Sequence, residues 1–357
     1  MIPPLYLPLR RKARLEFVPI AGADGHGDIA LWFGQSANPA DDLTPDRPMQ
    51  LRRWLERFAG AGVDARRVNS PPLLEQLAAC IDRPADALVV SLVDVEANLP
   101  FNAALLQNAA AEIAAAVGLL STLCGSAKSL VVVGPGTRAR TLAPFGPLVK
   151  SARLRLVEVS ADYPLADPTL LLHKLLQRRL PAGALPTDRQ VLLLDGAAAV
   201  AVGRLALHGQ PMRTLPLAAR DHVRRLTYLL RVPVGITVGQ VCAVLDTPLG
   251  AAQLRVGELL RQLDVSPEST FDVGELTLHI SAADRPAAPD PCIRCGWCVD
   301  ACPTGVQPAF VLEAAQHRDR VLAEKYGLGA CIGCGICTYV CPSRLPLLRA
   351  IRTFAGD

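Results

Sequence analysis

Two short runs of cysteine constrain this chain more than anything else in its 357 residues. The first reads DPCIRCGWCVDACP over 290–303 and the second CIGCGICTYVCP over 331–342. In each, three cysteines recur at intervals of three, a fourth arrives one residue late, and proline follows. Cys292, Cys295 and Cys298 keep the first rhythm and Cys302 leaves it; Cys331, Cys334 and Cys337 keep the second and Cys341 leaves it. A C-x2-C-x2-C-x3-C-P run written twice is the signature of a chain that holds two 4Fe–4S cubes, and the late cysteine of each run ligates the other cube. The spacing therefore assigns cluster I to Cys292, Cys295, Cys298 and Cys341. It assigns cluster II to Cys331, Cys334, Cys337 and Cys302.

The residue types suit that chemistry. Cluster iron takes soft thiolate sulfur, and a tight loop between ligands aims backbone N–H groups at the sulfurs. Gly296, Gly333 and Gly335 permit the left-handed backbone such a loop needs. Pro303 and Pro342 redirect the chain after each crossing ligand. Zinc sites also use C-x2-C pairs but take four ligands in all, so a third cysteine at the same interval, twice, does not fit one. Arg294 in the first run stands opposite Gly333 in the second. A cation there favours a reduced cube and gives cluster I the higher potential. Trp297 and Tyr339 are expected to shield the cubes from water, with a place on an electron path as the alternative.

The other cysteines point away from disulfides. No secretion signal precedes them: MIPPLYLPLRRKAR is apolar first and basic second. Eleven cysteines without such a signal suggest metal or redox chemistry, and eight of the eleven lie between 292 and 341. Cys80, Cys124 and Cys242 sit in apolar stretches and read as buried, inert thiols. The net charge of +4 is mild, no basic stripe interleaves with aromatics, and nucleic acid is excluded as a partner. Two clusters at about −2 each would bring the loaded chain near neutral. The basic PLRRKAR segment reads as a solvated face, with contact to anionic lipid or a partner's acidic face as the alternative. No transmembrane segment is assigned. The most apolar stretch, 103–124, carries Gln107, Asn108 and Glu112, and Leu106, Ile113, Val117 and Leu120 recur at helical intervals.

Half the residues are hydrophobic and 4% are aromatic, so aliphatic side chains must build the core. Continuous apolar runs at 87–93, 129–134, 153–159 and 190–195 suit buried parallel strands. Helical patterns lie between and after them, at 103–124, near 143–150, at 167–180 and at 196–207. This predicts a layered α/β domain. GPGTRAR after the second strand lacks a phosphate-loop pattern and reads as an ordinary turn. The dispersed His26, His173, His208, His222, His279 and His317 read as surface or core residues. From 211 the pattern shifts to a small α+β domain, with strands in VRRLTYLLRV and ELTLHI. Two similar units, 236–246 and 254–264, each read as Val-Gly followed by a short helix. A Pro/Ala linker at 281–291 leads to the cysteine runs. There, 308–327 reads as one helix burying Val311, Ala314, Ala315, Val321 and Leu322, and 343–354 as another.

With these residues in hand, the chain resembles the RnfC family, a component of the Rnf (Rsx) electron-transport complex, over roughly 85–345. The likeness is strong at the cysteine runs and collinear at SLVDVEANLPFNAALLQNAAAEI, EVSADYP and RRLPAGALPTDRQVLLLDGAAAVAVGRLALHGQPM. It implies a Rossmann-like parallel-sheet domain at 85–210, a small β-grasp (SLBB-like) domain at 211–285 and a helical two-cluster ferredoxin-type domain at 286–357. It also implies a peripheral cytoplasmic subunit, on the inner face of the membrane, passing electrons between soluble and membrane redox proteins.

The departures are informative. The family's G-G-A-G-F-P-T loop for FMN and NADH is replaced by GAGVDARRVNSPPLLEQL at 60–77. Gly60 and Gly62 remain, but Val63-Asp64 follow, and Arg66, Arg67 and Val68 are poor substitutes for glycine where backbone must approach phosphate. Tyr163-Pro164 remain from a Tyr-Pro-Ser-Gly-Gly-Glu segment, followed by Leu165-Ala166-Asp167. Residues 1–84 thus read as a degenerate remnant of the flavin and NADH region, with both cofactors absent. Three classes of function stay open: an electron-transfer subunit serving Rnf-like membrane subunits or a soluble ferredoxin or flavoprotein; a flavin- and NADH-dependent oxidoreductase subunit with a degenerate site; and a docking scaffold with structural clusters. No catalytic residue is assigned.

Overall fold

Strand and helix alternate through the first two thirds of the computed structural model, which describes residues 15–19, 46–64, 67, 69–96, 99–137, 139–150, 154–160, 162–271, 274–283 and 288–356. The basic segment at 8–14, Arg66 and Val68 lie outside the described residues. A strand, β1 (Leu15–Pro19), comes first, then helices α1 (Arg47–Gly60) and α2 (Leu73–Asp82). The alternation runs β2 (Ala87–Leu92), α3 (Phe101–Leu123), β3 (Lys128–Val133), α4 (Gly146–Lys150), β4 (Leu154–Glu158), α5 (Pro168–Leu176), β5 (Val191–Asp195) and α6 (Gly196–His208).

The four central strands pair in parallel in the order β4-β3-β2-β5. Side chains alternate across a strand, so each strand feeds two cores. Leu88, Val90, Leu192 and Leu194 face α1, α2, α3 and α6. Val89, Val132, Val191 and Leu193 face Leu171 and Leu172 of α5. A sheet covered on both faces needs continuous apolar strands, which is why these runs stood out in the sequence. Helices α1 and α2 share the first core through Leu51, Trp54, Phe58, Leu73 and Leu77. Asp46 starts α1 by accepting from the Met49 N–H at 3.4 Å.

Helix α3, 23 residues long, is apolar and long enough to cross a membrane by length and composition alone. Here it is a core element, packed along α6. A Cβ on Gly203 of α6 would lie 1.9 Å from the Glu112 carbonyl oxygen, so the two backbones touch and only glycine fits at the crossing.

The next segment forms a mixed sheet: β6 (Thr214–Asp221), β7 (Leu226–Pro233), α7 (Val238–Val244), β8 (Ala252–Val256), β9 (Leu263–Asp264) and β10 (Thr277–Ala282), in the order β1-β7-β6-β10-β8-β9. Two features depart from the sequence reading. Strand β6 contains Pro216, which argues against a central strand. The conflict is resolved because pairing with β10 begins only at Ala218, so Pro216 has β7 alone as a neighbour. The expected helix in 254–264 is instead a strand pair, with Val256 opposite Leu263. Its twin at 236–246 does form a helix, opened by a Thr237–Gln240 capping box. No residue before Gly257 can supply such a cap, and Gly257 at φ +100 turns the chain back.

The C-terminal part is helical: α8 (Trp297–Asp300), α9 (Pro308–Gln316), α10 (Arg320–Lys325), α11 (Ile336–Tyr339) and α12 (Leu347–Ala355). The single helix expected over 308–327 breaks at His317–Asp319. Arg318 turns left-handed at φ +54, and Asp319 caps α10 by accepting from the Leu322 N–H at 2.9 Å. The break resets the phase, so Val321 is 70% exposed and Ala323 joins Val311 and Ala314 in the core.

Candidate metal centre

The two cysteine runs fold alike. Arg294 and Gly333 take φ +53 and +65, and Gly296 and Gly335 take φ +82 and +79. Each of these last two opens a one-turn helix that carries the third cysteine, Cys298 on α8 or Cys337 on α11. In both loops a backbone N–H points at the first sulfur: Arg294 to Cys292 and Gly333 to Cys331, each at 3.4 Å. Cys302 receives the Val306 N–H at 3.3 Å.

Beyond each short helix the late cysteine leaves its own loop. Cys292, Cys295, Cys298 and Cys341 line one cavity of about 450 Å³. Cys302, Cys331, Cys334 and Cys337 line a second, tighter one. Each cavity takes three cysteines from one run and one from the other. Among the described residues, no three His, Cys, Asp or Glu side chains close on a single ion. A tetrahedral zinc would draw four sulfurs to about 2.3 Å from one point, whereas a cube spreads them over four irons. Four thiolate donors around each cavity are the donor set that a cube takes. Burial pushes the Cys337 thiol up to about 12 and raises Cys298, Cys331 and Cys334 as well. These thiols must lose their protons to ligate iron.

The surroundings differ. Around the outer cavity, Cys292 and Cys295 are exposed, and Ile293 and Trp297 are 68% and 50% exposed. Arg294 reaches Glu313 at 3.7 Å with both side chains in solvent. Around the inner cavity, Cys334 and Cys337 are buried; Cys337 packs with Cys298 and Leu347 of its own region, and the loop from Cys331 to Cys334 meets side chains from upstream. Arg261, in the turn after β8, donates from Nε to the Gly333 carbonyl at 3.2 Å and from Nη2 to the Ile332 carbonyl at 3.1 Å. Its Nη2 also meets Asp167 Oδ2 at 3.0 Å. The Tyr163 hydroxyl donates to the Cys334 carbonyl. Burial opposes the charge on Arg261, yet Tyr163, Asp167 and Glu258 hold its pKa above the ordinary value. Burial also outweighs the ion pair at Asp167 and raises that carboxyl.

The carboxyl edge of the parallel sheet is filled with polar pairs. Arg67 grips Asp195 at the end of β5 through two bonds of 2.7 and 2.6 Å. Asn69 Nδ2 donates to Glu258 Oε1 at 2.5 Å, and burial pushes Glu258 up to about 7. Glu96 accepts from the Leu259 N–H at 2.6 Å and lies 3.3 Å from His279 Nε2. His279 is thus a buried, bonded core histidine, stacked on His222. Cys80, Cys124 and Cys242 are buried, and Cys80 and Cys124 share a side-chain hydrogen bond. Sequence reading missed Arg261, which looked like one position of a short helix, and Asp167, which stood out only as a departure from a family segment.

Comparisons with known proteins agree with this architecture. Residues 291–345 match the 4Fe–4S dicluster domain family. The RnfC component of the ion-translocating oxidoreductase complex of Pseudomonas aeruginosa is 27% identical over 294 residues, 76% of this chain and 35% of that one. The same component of the Rhodobacter capsulatus complex is 28% identical over 276 residues, 75% of this chain and 53% of that one. The chain therefore spans about a third to a half of the length of these curated relatives. A chain of the NAD+-reducing [NiFe]-hydrogenase in the H2-reduced state shares the fold at a TM-score of 0.55 and 13% identity, over 96% of this chain and 66% of that chain. The chain is thus similar to the RnfC proteins over most of its length.

Proposed function

We propose that this chain is an iron–sulfur electron-transfer subunit of an Rnf-type oxidoreductase complex. The carrying observation is the sorting of eight cysteines into two cavities, three from one run and one from the other in each. Cys292, Cys295, Cys298 and Cys341 would hold the outer cluster; Cys331, Cys334, Cys337 and Cys302 would hold the inner one. Bound clusters supply one-electron redox chemistry. The chain's own part is to hold them side by side, insulate one and expose the other. Ile293 lines the outer cavity and Trp297 is exposed on the same short run, where a redox protein can approach. The partner is an Rnf-like membrane subunit, or a soluble ferredoxin or flavoprotein, and the chain sits peripherally on the cytoplasmic face of the membrane. The names of the relatives support membership of such a complex, and the burial of α3 against α6 supports reading that helix as a core element and not as a span.

The same reading leaves out a flavin and nicotinamide port. Open parallel sheets bind ligands beyond the carboxyl ends of their strands. Here the Arg67–Asp195 and Asn69–Glu258 pairs and Glu96 occupy that edge. The test is anaerobic reconstitution. About eight iron and eight sulfide per chain, reduced and reoxidised reversibly, are expected. Zinc in place of iron sinks the reading, and clusters that resist reduction favour a docking scaffold. Stoichiometric FMN, or bleaching of the clusters by NADH, restores the flavin subunit.

A further inference from the structure

We propose that Arg261 positions the inner cluster and sets its charge environment: its guanidinium clamps the loop between Cys331 and Cys334 and raises the reduction potential of the cluster that the loop holds. This rests on the dicluster reading above.

Three consecutive carbonyls of that loop, Ile332, Gly333 and Cys334, accept hydrogen bonds from outside the ferredoxin-type region, two from Arg261 and one from Tyr163. Carbonyls held outward leave the intervening N–H groups turned inward, as the Gly333 N–H to Cys331 sulfur contact shows. The outer loop holds the matching Arg294 N–H at the same 3.4 Å from Cys292 without such support, so the clamp's part is to brace the inner loop in that path and to bring a cation against it. In the outer loop, the carbonyls of Ile293, Arg294 and Cys295 accept no such bond among the described residues.

Charge acts in the same direction. Reduction adds an electron to a site that is already anionic, and burial alone disfavours it. A buried cation offsets that penalty far more than one in water. Arg261 is 3% exposed, and Asp167 and Glu258 face it at 3.0 and 3.7 Å. The guanidinium hydrogen-bonds the loop, so the positive end of the group lies against it. Arg352 of α12 adds a second cation beside Gly333. Arg294 also faces a carboxylate, Glu313, but is 74% exposed, and there water screens it.

The test uses the full chain, reconstituted anaerobically, with iron and sulfide assayed and both midpoint potentials followed by EPR. Arg261→Gln is expected to keep its iron and lower one midpoint by at least tenfold in the reduction equilibrium, about 59 mV for a one-electron couple. Asp167→Asn is expected to raise that same midpoint. Arg261→Lys, which keeps the charge without the planar fork, should recover part of the loss. Arg294→Gln should move the other midpoint, by less than threefold. Full iron with both midpoints unmoved in Arg261→Gln overturns the inference, as does an equal or larger shift in Arg294→Gln. If Arg261→Gln loses its iron, Asp167→Asn decides, and an unmoved midpoint there overturns the inference. A wild-type chain without iron and sulfide instead removes the dicluster reading itself.

Discussion

Residues 292–298 and 331–337 follow the same backbone path, with matched left-handed residues and matched N–H to sulfur contacts. They meet different surroundings. The first loop faces water through Cys292, Ile293, Cys295 and Trp297, while the second is pressed against Leu260, Arg261 and Tyr163. A repeated motif need not make a repeated site. Local geometry places the sulfurs, but the contacts behind each loop decide how dry and how rigid its cavity is, and so how it can exchange an electron.

Crossing ligands give the largest expected effect. Cys341→Ala should remove the cluster of the first run and Cys302→Ala that of the second, each lowering iron from about eight to about four per chain. If Cys341→Ala spared the first cluster and destroyed the second, the crossover would be wrong. Next come the matched glycines. A Cβ on Gly335 would lie 2.5 Å from the Leu260 carbonyl oxygen, whereas one on Gly296 meets nothing within 4 Å, at nearly the same φ. Gly335→Ala should therefore cost about 3 kcal/mol and Gly296→Ala about 1 kcal/mol. Equal midpoints in urea would show that the inner loop is not braced. Smaller again is the difference in thiol access. In the cluster-free chain, iodoacetamide should label Cys292 and Cys295 at least tenfold faster than Cys334 and Cys337, as read by mass spectrometry, and uniform labelling would contradict the asymmetry. The smallest effect is expected at the outer rim, where Arg294→Ala should change stability by no more than about 0.5 kcal/mol. A larger loss in thermal unfolding would mean that the Arg294–Glu313 pair does more than its exposure allows.

Much of the α/β layer was legible because its signals are local. Apolar runs at 87–93 and 190–195 needed no partner to be read as strands, since burial on both faces removes the usual alternation. Signals failed where a neighbour mattered. Strand β6 went unread, and its place in the sheet depends on β10, which pairs with it only from Ala218, two residues past Pro216. Residues 254–264 imitated the helix at 236–246 because both carry Val-Gly and an apolar stretch, and the capping box of the one and the left-handed Gly257 of the other separate them. Val321 fell on the expected stripe and off the real one because Arg318 broke the helical phase.

The sequence by itself determined which eight cysteines are available and the spacing on which the proposed exchange of the late ones rests, because both follow from residue type and from intervals of three and four along the backbone. Only the tertiary structure decided which loop is insulated. Arg261 and Asp167 stand 94 positions apart, and Arg261 and Gly333 stand 72 apart. Burial depends on groups brought together from such distances, and no local pattern can carry it.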